Sequence, residues 1–224
     1  MAKQNTIKRL LSYLFDFSLE SRSSAINKTL NVVLSQGRIR LDSENATYSF
    51  EDKYRTFHTS FQNTKMADKR LDKILVLGLG LGSIPIMLEK SFDQNLHKIV
   101  GVELDPEVIN LAEKYMPAEL VAKSEFICED ASIFQTDQQF DLVAFDVFLD
   151  DETPASFRSK NYLLRLKKSL NSEGLIFYNT LKYTHDLDMQ SKGFYEETFK
   201  KVFPSAFTIE TNGNRMLVGG LKDS

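Results

Sequence analysis

Tryptophan is missing from this 224-residue chain, which has one cysteine, three histidines and five prolines. A single cysteine, Cys128, excludes an internal disulfide and suits a reducing compartment, so a cytoplasmic location is expected. The histidines, His58, His97 and His185, are scattered and stand near no second cysteine. No ligand spacing for a structural zinc is present, and no metal is expected. No run of ~18 consecutive apolar residues occurs, which excludes a membrane-spanning helix. The short run Leu10-Leu11-Ser12-Tyr13-Leu14-Phe15 is interrupted by Asp16 and has no small-residue cleavage site behind it, unlike a signal peptide. Positive charge is not in excess. Lys plus Arg number 28 against 31 Asp plus Glu, a net charge of −3, which speaks against a nucleic-acid partner. Repeats and low-complexity linkers are absent too. What remains is ordinary globular composition, 42% hydrophobic and 26% charged, enough for one sizeable core and a small appendage.

The chain changes character near residue 68, which divides it into an N-terminal element, 1–67, and a main domain, 68–224. The element opens with a helical stretch that carries Ile7, Leu10, Leu11 and Leu14 on one face. Two extended runs follow, 30–34 and 38–41, joined by Ser35-Gln36-Gly37, and read as a β-hairpin. Tyr48, Phe50, Tyr54, Phe57 and Phe61 then form an aromatic segment ending in a helix. Tyr48 and Tyr54 read there as packing groups.

From Lys73 onward strand and helix signals alternate. Ile74-Leu75-Val76-Leu77 is an apolar run closed by glycines, as a strand buried on both faces requires. Ile84 begins a helix, and Lys98–Val102 is a second strand that runs into Asp105-Pro106, a cap and first-turn pair. Val108, Leu111, Ala112 and Tyr115 mark the buried face of the next helix. Strands follow at 125–128 and 140–145, then a helix with Leu163, Leu166 and Leu170, and a turn at Asn171–Gly174. The strand 175–178 comes next, then a final helix with Tyr195, Phe199 and Val202. Two last strands flank Asn212-Gly213-Asn214. Repeated βα units imply an α/β, doubly wound, parallel sheet, here with an antiparallel C-terminal strand pair.

In such a sheet ligands collect beyond the carboxyl ends of the central strands. The first loop there is Gly78-Leu79-Gly80-Leu81-Gly82-Ser83. Its glycines let the backbone turn tightly, and the following helix N-terminus offers free N–H groups. A dinucleotide fingerprint would want a third glycine at position 83, where Ser83 stands, so a less anionic nucleoside fits better than a pyrophosphate. A plain tight turn is the alternative. Glu103 ends the second strand 25 residues after Gly78, near the ~20-residue spacing at which an acid meets ribose hydroxyls, and a carboxylate can accept from both hydroxyls of a free diol. Cys128-Glu129-Asp130-Ala131 ends the third strand, where Asp130 reads as an adenine contact or as a helix N-cap.

On these residues the chain resembles the class I S-adenosylmethionine-dependent methyltransferase superfamily, and within it the spermidine (polyamine) synthase-like branch, over roughly residues 28–220. The resemblance implies a Rossmann-like fold preceded by a small N-terminal helix and hairpin. It also implies a ligand, S-adenosylmethionine or decarboxylated S-adenosylmethionine. Gly78, Gly80 and Gly82 match the loop that cradles the methionine moiety. Glu103, with Leu104 beside it, matches the ribose-binding acid, and Asp130 with Ala131 the adenine-binding pair. Asp146, at the end of Phe140–Phe145, matches the catalytic aspartate of aminopropyltransferases and also lies against the donor. Asp150 and Asp151 follow it as acids that can sense a cationic substrate, or simply as a solvated loop.

The departures steer the reading. The synthase loop carries an aspartate where this chain has Leu81, which turns the expectation from polyamine synthesis toward methyl transfer to a small-molecule acceptor. Aminopropyl transfer and a non-catalytic nucleoside-binding protein are the alternatives. A magnesium-dependent O-methyltransferase would use Asp146 and Asn179, but Tyr178 stands where its second acid belongs. A homodimer is compatible with the sequence. Asp146 is expected to take the proton that an acceptor must lose.

Overall fold

The computed structural model describes residues 2–44, 46–148 and 154–220. Helix α1 (Ala2–Leu11) leads into an antiparallel sheet of β1 (Phe17–Arg22), β2 (Leu30–Ser35), β3 (Arg38–Asp42) and β4 (Thr47–Ser49), paired in that order. The expected hairpin is its centre. Gln36 and Gly37 both take positive φ, 49° and 73°, the signature of the two-residue turn whose twist matches its strands. Ser12 anchors this turn, since its Oγ accepts from the Gly37 N–H at 2.8 Å. Strands β1 and β4 were not expected: β1 alternates weakly and is mostly polar, and β4 has three residues. The apolar face of α1 finds no cover, with Ile7, Leu10 and Leu11 all exposed, as is Leu14 beyond the helix end. The helical period is right, but α1 is tied to the body through Ser12 rather than through that face.

The main sheet contains β5 (Lys73–Leu77), β6 (Lys98–Glu103), β7 (Ser124–Cys128), β8 (Phe140–Phe145), β9 (Leu170–Leu181), β10 (Phe207–Glu210) and β11 (Asn214–Gly220). Its order is β10-β11-β9-β8-β5-β6-β7. The five central and edge strands from β9 to β7 run parallel, while β11 is antiparallel to β9 and β10 to β11. Helices α2 (Arg55–Asn63), α3 (Ser83–Phe92), α4 (Pro106–Tyr115) and the short α5 (Ala118–Val121) precede β8, and α6 (Lys160–Lys168) and α7 (His185–Phe194) follow it. The mixed α/β fold with an antiparallel C-terminal pair is therefore as the strand–helix alternation implies.

Period-two alternation explains the apolar runs. Ile74 and Val76 of β5 enter one buried cluster with Phe57 and Phe61 of α2, while Leu75 and Leu77 enter a second with Leu163 and Leu166 of α6. Both faces are covered, so no position on the strand can be polar. Leu30, Val32 and Leu41 of the small sheet share the first cluster. Phe61 meets Phe177 of β9 edge to face at 5.0 Å, fixing α2 against the main sheet.

Two local expectations change. The turn at Asn171–Gly174 exists as a bulge inside β9, because Phe140 pairs with Leu170 but Leu142 pairs with Leu175. The helix carrying Tyr195, Phe199 and Val202 begins at His185, with Thr184 capping it, and passes through a π-helical turn at Tyr195–Phe199. Asp186 and Asp188 interrupt any apolar stripe in its first turns, which hid them from periodicity. For the site, the decisive feature is that connections leave β5 toward β6 on one side and reach β8 on the other. The crevice opens at that switch point, beyond Leu77 and Phe145.

Candidate functional site

A cavity of about 410 Å³ fills the crevice. Gly78 makes it by close approach: at φ +82°, an added Cβ would lie 2.3 Å from the carbonyl oxygen of Asp146. Only glycine lets the ends of β5 and β8 meet so closely. Gly78 and Gly80 line the cavity, whereas the side chains of Leu79 and Leu81 turn into the apolar core. Gly82 does not line it. A Cβ there would meet Met116 Sδ at 2.6 Å, so this glycine serves the packing of the loop on the end of α4. Ser83 has a job of its own, since its Oγ accepts from the Phe50 N–H at 2.9 Å and shares a hydrogen bond with Ser49 Oγ at 2.7 Å. The N-terminal segment is thereby tied to the glycine loop.

Glu103 reaches the cavity from the end of β6. Its Oε1 accepts from the Leu104 and Asp105 N–H groups at 2.9 and 3.2 Å, and its Oε2 from the Gly80 N–H at 3.2 Å. Two carboxylate oxygens offer about four acceptor positions, so one on Oε2 stays open in this arrangement. Burial pushes the Glu103 carboxyl up from its ordinary pKa, against the three N–H donors that hold it down.

Asp105, the cap of α4, has its Oδ1 on the Glu107 N–H at 2.9 Å. Its Oδ2 accepts from Ser24 Oγ at 2.5 Å and from Asn27 Nδ2 at 2.6 Å. Asn27 in turn accepts from the Tyr48 hydroxyl at 2.8 Å. This buried cluster folds the β1–β2 connection over the Leu104 side of the cavity. Asp130 and Ala131 line the same end. Asp130 commits Oδ1 to the Ser132 N–H at 2.7 Å, the local capping role that was its alternative reading.

Asp146 forms the opposite end. Its Oδ1 accepts from Asn179 Nδ2 at 2.8 Å and from the Tyr54 hydroxyl at 3.1 Å. Desolvation pushes its carboxyl up to about 6, although both hydrogen bonds favour the charged form; the nearby Glu103 charge adds to the rise. Tyr54 is held well above its usual pKa by burial and by Asp146, so it is a neutral donor. Tyr54 is thus a site residue rather than a packing group. It stands at the start of α2, and no sequence spacing links it to an acid on β8. Asn214 and Asn27 were missed for the same reason. Tyr178 is fully buried and stacks on Phe145 at 4.0 Å, and among the described residues no three His, Cys, Asp or Glu side chains gather into a metal site. Asp150 and Asp151 lie outside the described residues.

The cavity wall has a consistent sign. Among the described residues it carries Glu103, Asp105, Glu129, Asp130 and Asp146, and no lysine, arginine or histidine. Such a donor set suits a cationic ligand bearing hydroxyl groups. Among the described residues no helix is long and apolar enough to cross a membrane.

Comparison with known proteins agrees with this architecture. The chain is 26% identical over 158 residues to the polyamine aminopropyltransferase of Vibrio vulnificus, covering 67% of this chain and 50% of that protein. It is 27% identical over 172 residues to the eEF1A lysine and N-terminal methyltransferase homolog of Drosophila pseudoobscura, covering 71% of this chain and 24% of that one. The chain therefore spans half or less of the length of these relatives. A probable spermidine synthase from Corynebacterium glutamicum superposes with a TM-score of 0.70 at 17% identity, over 93% of this chain and 81% of its own. Residues 61–222 match the spermine/spermidine synthase domain. The chain belongs to the spermine/spermidine synthase family, the spermidine synthase-like branch of the class I methyltransferase superfamily.

Proposed function

We propose that the protein is a transferase that moves a methyl group from S-adenosylmethionine to a small amine. The observation that carries this reading is the lone acceptor-end carboxylate: Asp146 is half-buried among Val147, Phe148, Phe157 and Leu181, with Oδ2 unengaged by any described donor. Leu81 is 4% exposed and packed in the apolar core, so the glycine loop supplies no second acid. A diamine carries two ammonium groups and wants an acid for each; a monoamine needs one.

Glu103 would receive a ribose hydroxyl, Leu104 and Ala131 would flank the base, and Gly78 and Gly80 would admit the chain that bears the sulfonium. When bound, the sulfonium supplies an activated carbon and a neutral thioether leaving group. Asp146 Oδ2 takes the proton of the incoming ammonium, leaving the electron pair on nitrogen to form the new C–N bond as the S–C bond opens. Tyr54 and Asn179 hold the carboxylate while it does so. Alignment supplies most of the acceleration, and proton removal a further ~10²–10⁴-fold.

A second reading, aminopropyl transfer from the decarboxylated donor, is favoured by one observation. The described lining offers no cationic side chain to pair with a donor carboxylate. Calorimetry with both donors separates the readings, followed by product analysis with a panel of amines. The methyl-transfer reading expects the carboxylated donor to bind within about tenfold of the other, a difference below ~1.4 kcal/mol, and S-adenosylhomocysteine to appear with acceptor. Methylthioadenosine as the product would establish aminopropyl transfer instead. Retention of the donor without turnover on any amine would point to a binding protein.

A further inference from the structure

Asp146 uses its oxygens unequally, and the cause lies beyond the groups that touch it. Asn179 is fully buried on β9. Its Nδ2 donates to Asp146 Oδ1 at 2.8 Å, while its own Oδ1 accepts from Asn214 Nδ2 at 3.1 Å. Asn214, at the start of β11 and on the cavity wall, accepts in turn from Thr56 Oγ1 of α2 at 3.4 Å. The chain of bonds therefore runs Thr56 to Asn214 to Asn179 to Asp146, every donor pointing the same way.

A carboxylate only accepts, so it needs the NH₂ side of the Asn179 amide. An amide is nearly symmetric in shape, and packing alone does not choose between its two ends. Asn214 makes the choice, because its own NH₂ pairs with the oxygen of Asn179. Thr56 then fixes Asn214 by the same logic. The tyrosine arm is separate: Tyr54 donates from α2 directly to Asp146 Oδ1.

The electrical surroundings make these neutral donors matter. Facing Asp146 are Glu103 from β6 and Tyr54 from α2; farther along the cavity come Asp105, Glu129 and Asp130, and Tyr48 and Tyr183 complete the titratable wall. None of these is a cation, so hydrogen-bond donors alone stabilise the Asp146 anion among the described residues. We infer that Asn179 and Asn214 are positioning residues, a two-amide relay anchored by Thr56 that occupies Asp146 Oδ1 and leaves Oδ2 turned to the acceptor. This rests on the reading that Asp146 takes the acceptor's proton.

The test uses the full chain with ¹³C-labelled aspartate carboxyls, followed by NMR across pH, with the Asp146 resonance assigned by its loss in Asp146→Asn. The relay requires that Asn179→Leu raise the midpoint by about one pH unit or more, a tenfold gain in proton affinity. Asn214→Leu touches no atom of Asp146 and adds no charge, yet should raise it by about half a unit, roughly threefold. If Asn179→Leu does not fold, Asn214→Leu, on the half-buried cavity wall, carries the test. A folded Asn214→Leu with its midpoint within ~0.2 unit of the parent would overturn the relay, because a merely packed asparagine would leave titration untouched. A raised midpoint with an unmoved pH–rate profile on an amine acceptor would keep the relay and remove Asp146 from proton transfer.

Discussion

Replacing Glu103 by glutamine tests the nucleoside end of the cavity at the level of single lone pairs. The carboxylate has about four acceptor positions, and three are taken by the N–H groups of Gly80, Leu104 and Asp105. The remaining position, on Oε2, accepts one hydroxyl. In Glu103→Gln one oxygen becomes an NH₂, which faces either those N–H groups or the ligand hydroxyl as a donor against donors. If it faces the ligand, one hydrogen bond to a charged group disappears, worth about 1.5–3 kcal/mol, or a ~10–150-fold rise in Kd.

The measurement is titration calorimetry with S-adenosylhomocysteine and its 2′-deoxy and 3′-deoxy analogues, on parent and variant. With one open position, one of the two deoxy analogues should lose about 1.5–3 kcal/mol on the parent and the other much less. On Glu103→Gln neither deletion should matter, since the partner oxygen is already gone. Equal, large losses for both analogues on the parent would refute the lone-pair count and mean that a backbone N–H gives way to a second hydroxyl. Unchanged affinity in Glu103→Gln would remove Glu103 from the nucleoside site altogether.

Gly78→Ala should destabilise the fold by roughly 2–4 kcal/mol in denaturant titrations, because it adds both a left-handed-region strain and a contact with the Asp146 carbonyl; a shift under ~0.5 kcal/mol would show that β5 and β8 can separate freely. Asp146→Asn bears on stability as well as turnover. With the folded pKa at about 6 against an ordinary 3.8, the folded state keeps a proton that the unfolded state loses, so stability falls as pH rises from about 4 to 6. That loss is up to about 3 kcal/mol, and it should vanish in Asp146→Asn, making the variant the more stable protein at pH 7 and no more stable below pH 4. Parallel pH curves for the two proteins would contradict a buried, proton-holding Asp146. Binding a sulfonium beside these acids should also lower the Asp146 midpoint, so S-adenosylmethionine should gain on its neutral thioether product as pH rises through 6. A ratio of the two affinities that stays flat with pH would contradict that coupling.

Much of the main sheet was legible because each strand announces itself twice. Ile74–Leu77 is apolar on both faces because helices cover both, and it ends in glycine because β8 approaches within a Cβ of the loop. Asp105-Pro106 marks the next helix start through a cap bond to the Glu107 N–H and a ring at the first position. The small sheet was legible only at its centre, where Gln36-Gly37 carries its own turn chemistry. Strand β1 has no such signal. Its residues face solvent as Ser18, Glu20 and Arg22 do elsewhere on surfaces, and only pairing with β2 makes them a strand.

The same division runs through the site. Glu103, Asp130 and Asp146 could be named from sequence because topology delivers every parallel strand end to one edge, and an acid at a strand end needs no other information to be found there. What each acid does there depends on partners that topology does not deliver in order. Asp146 meets Tyr54 across 92 residues of chain and Asn179 across 33. Asp105, read as a cap, turns out to hold Ser24 and Asn27 as well, across 81 and 78. These donors come from the N-terminal element and the closing strands, the two parts with the weakest periodicity. Leu81 shows the converse. Its departure from the synthase loop was visible at once, but the consequence needed the fold: the side chain lies in the core, so the missing acid leaves no gap in the cavity for another group to fill. The acceptor end is therefore defined by Asp146 and by neutral donors behind it, an arrangement in which the carboxylate's charge is set by amides and a phenol rather than by a cation.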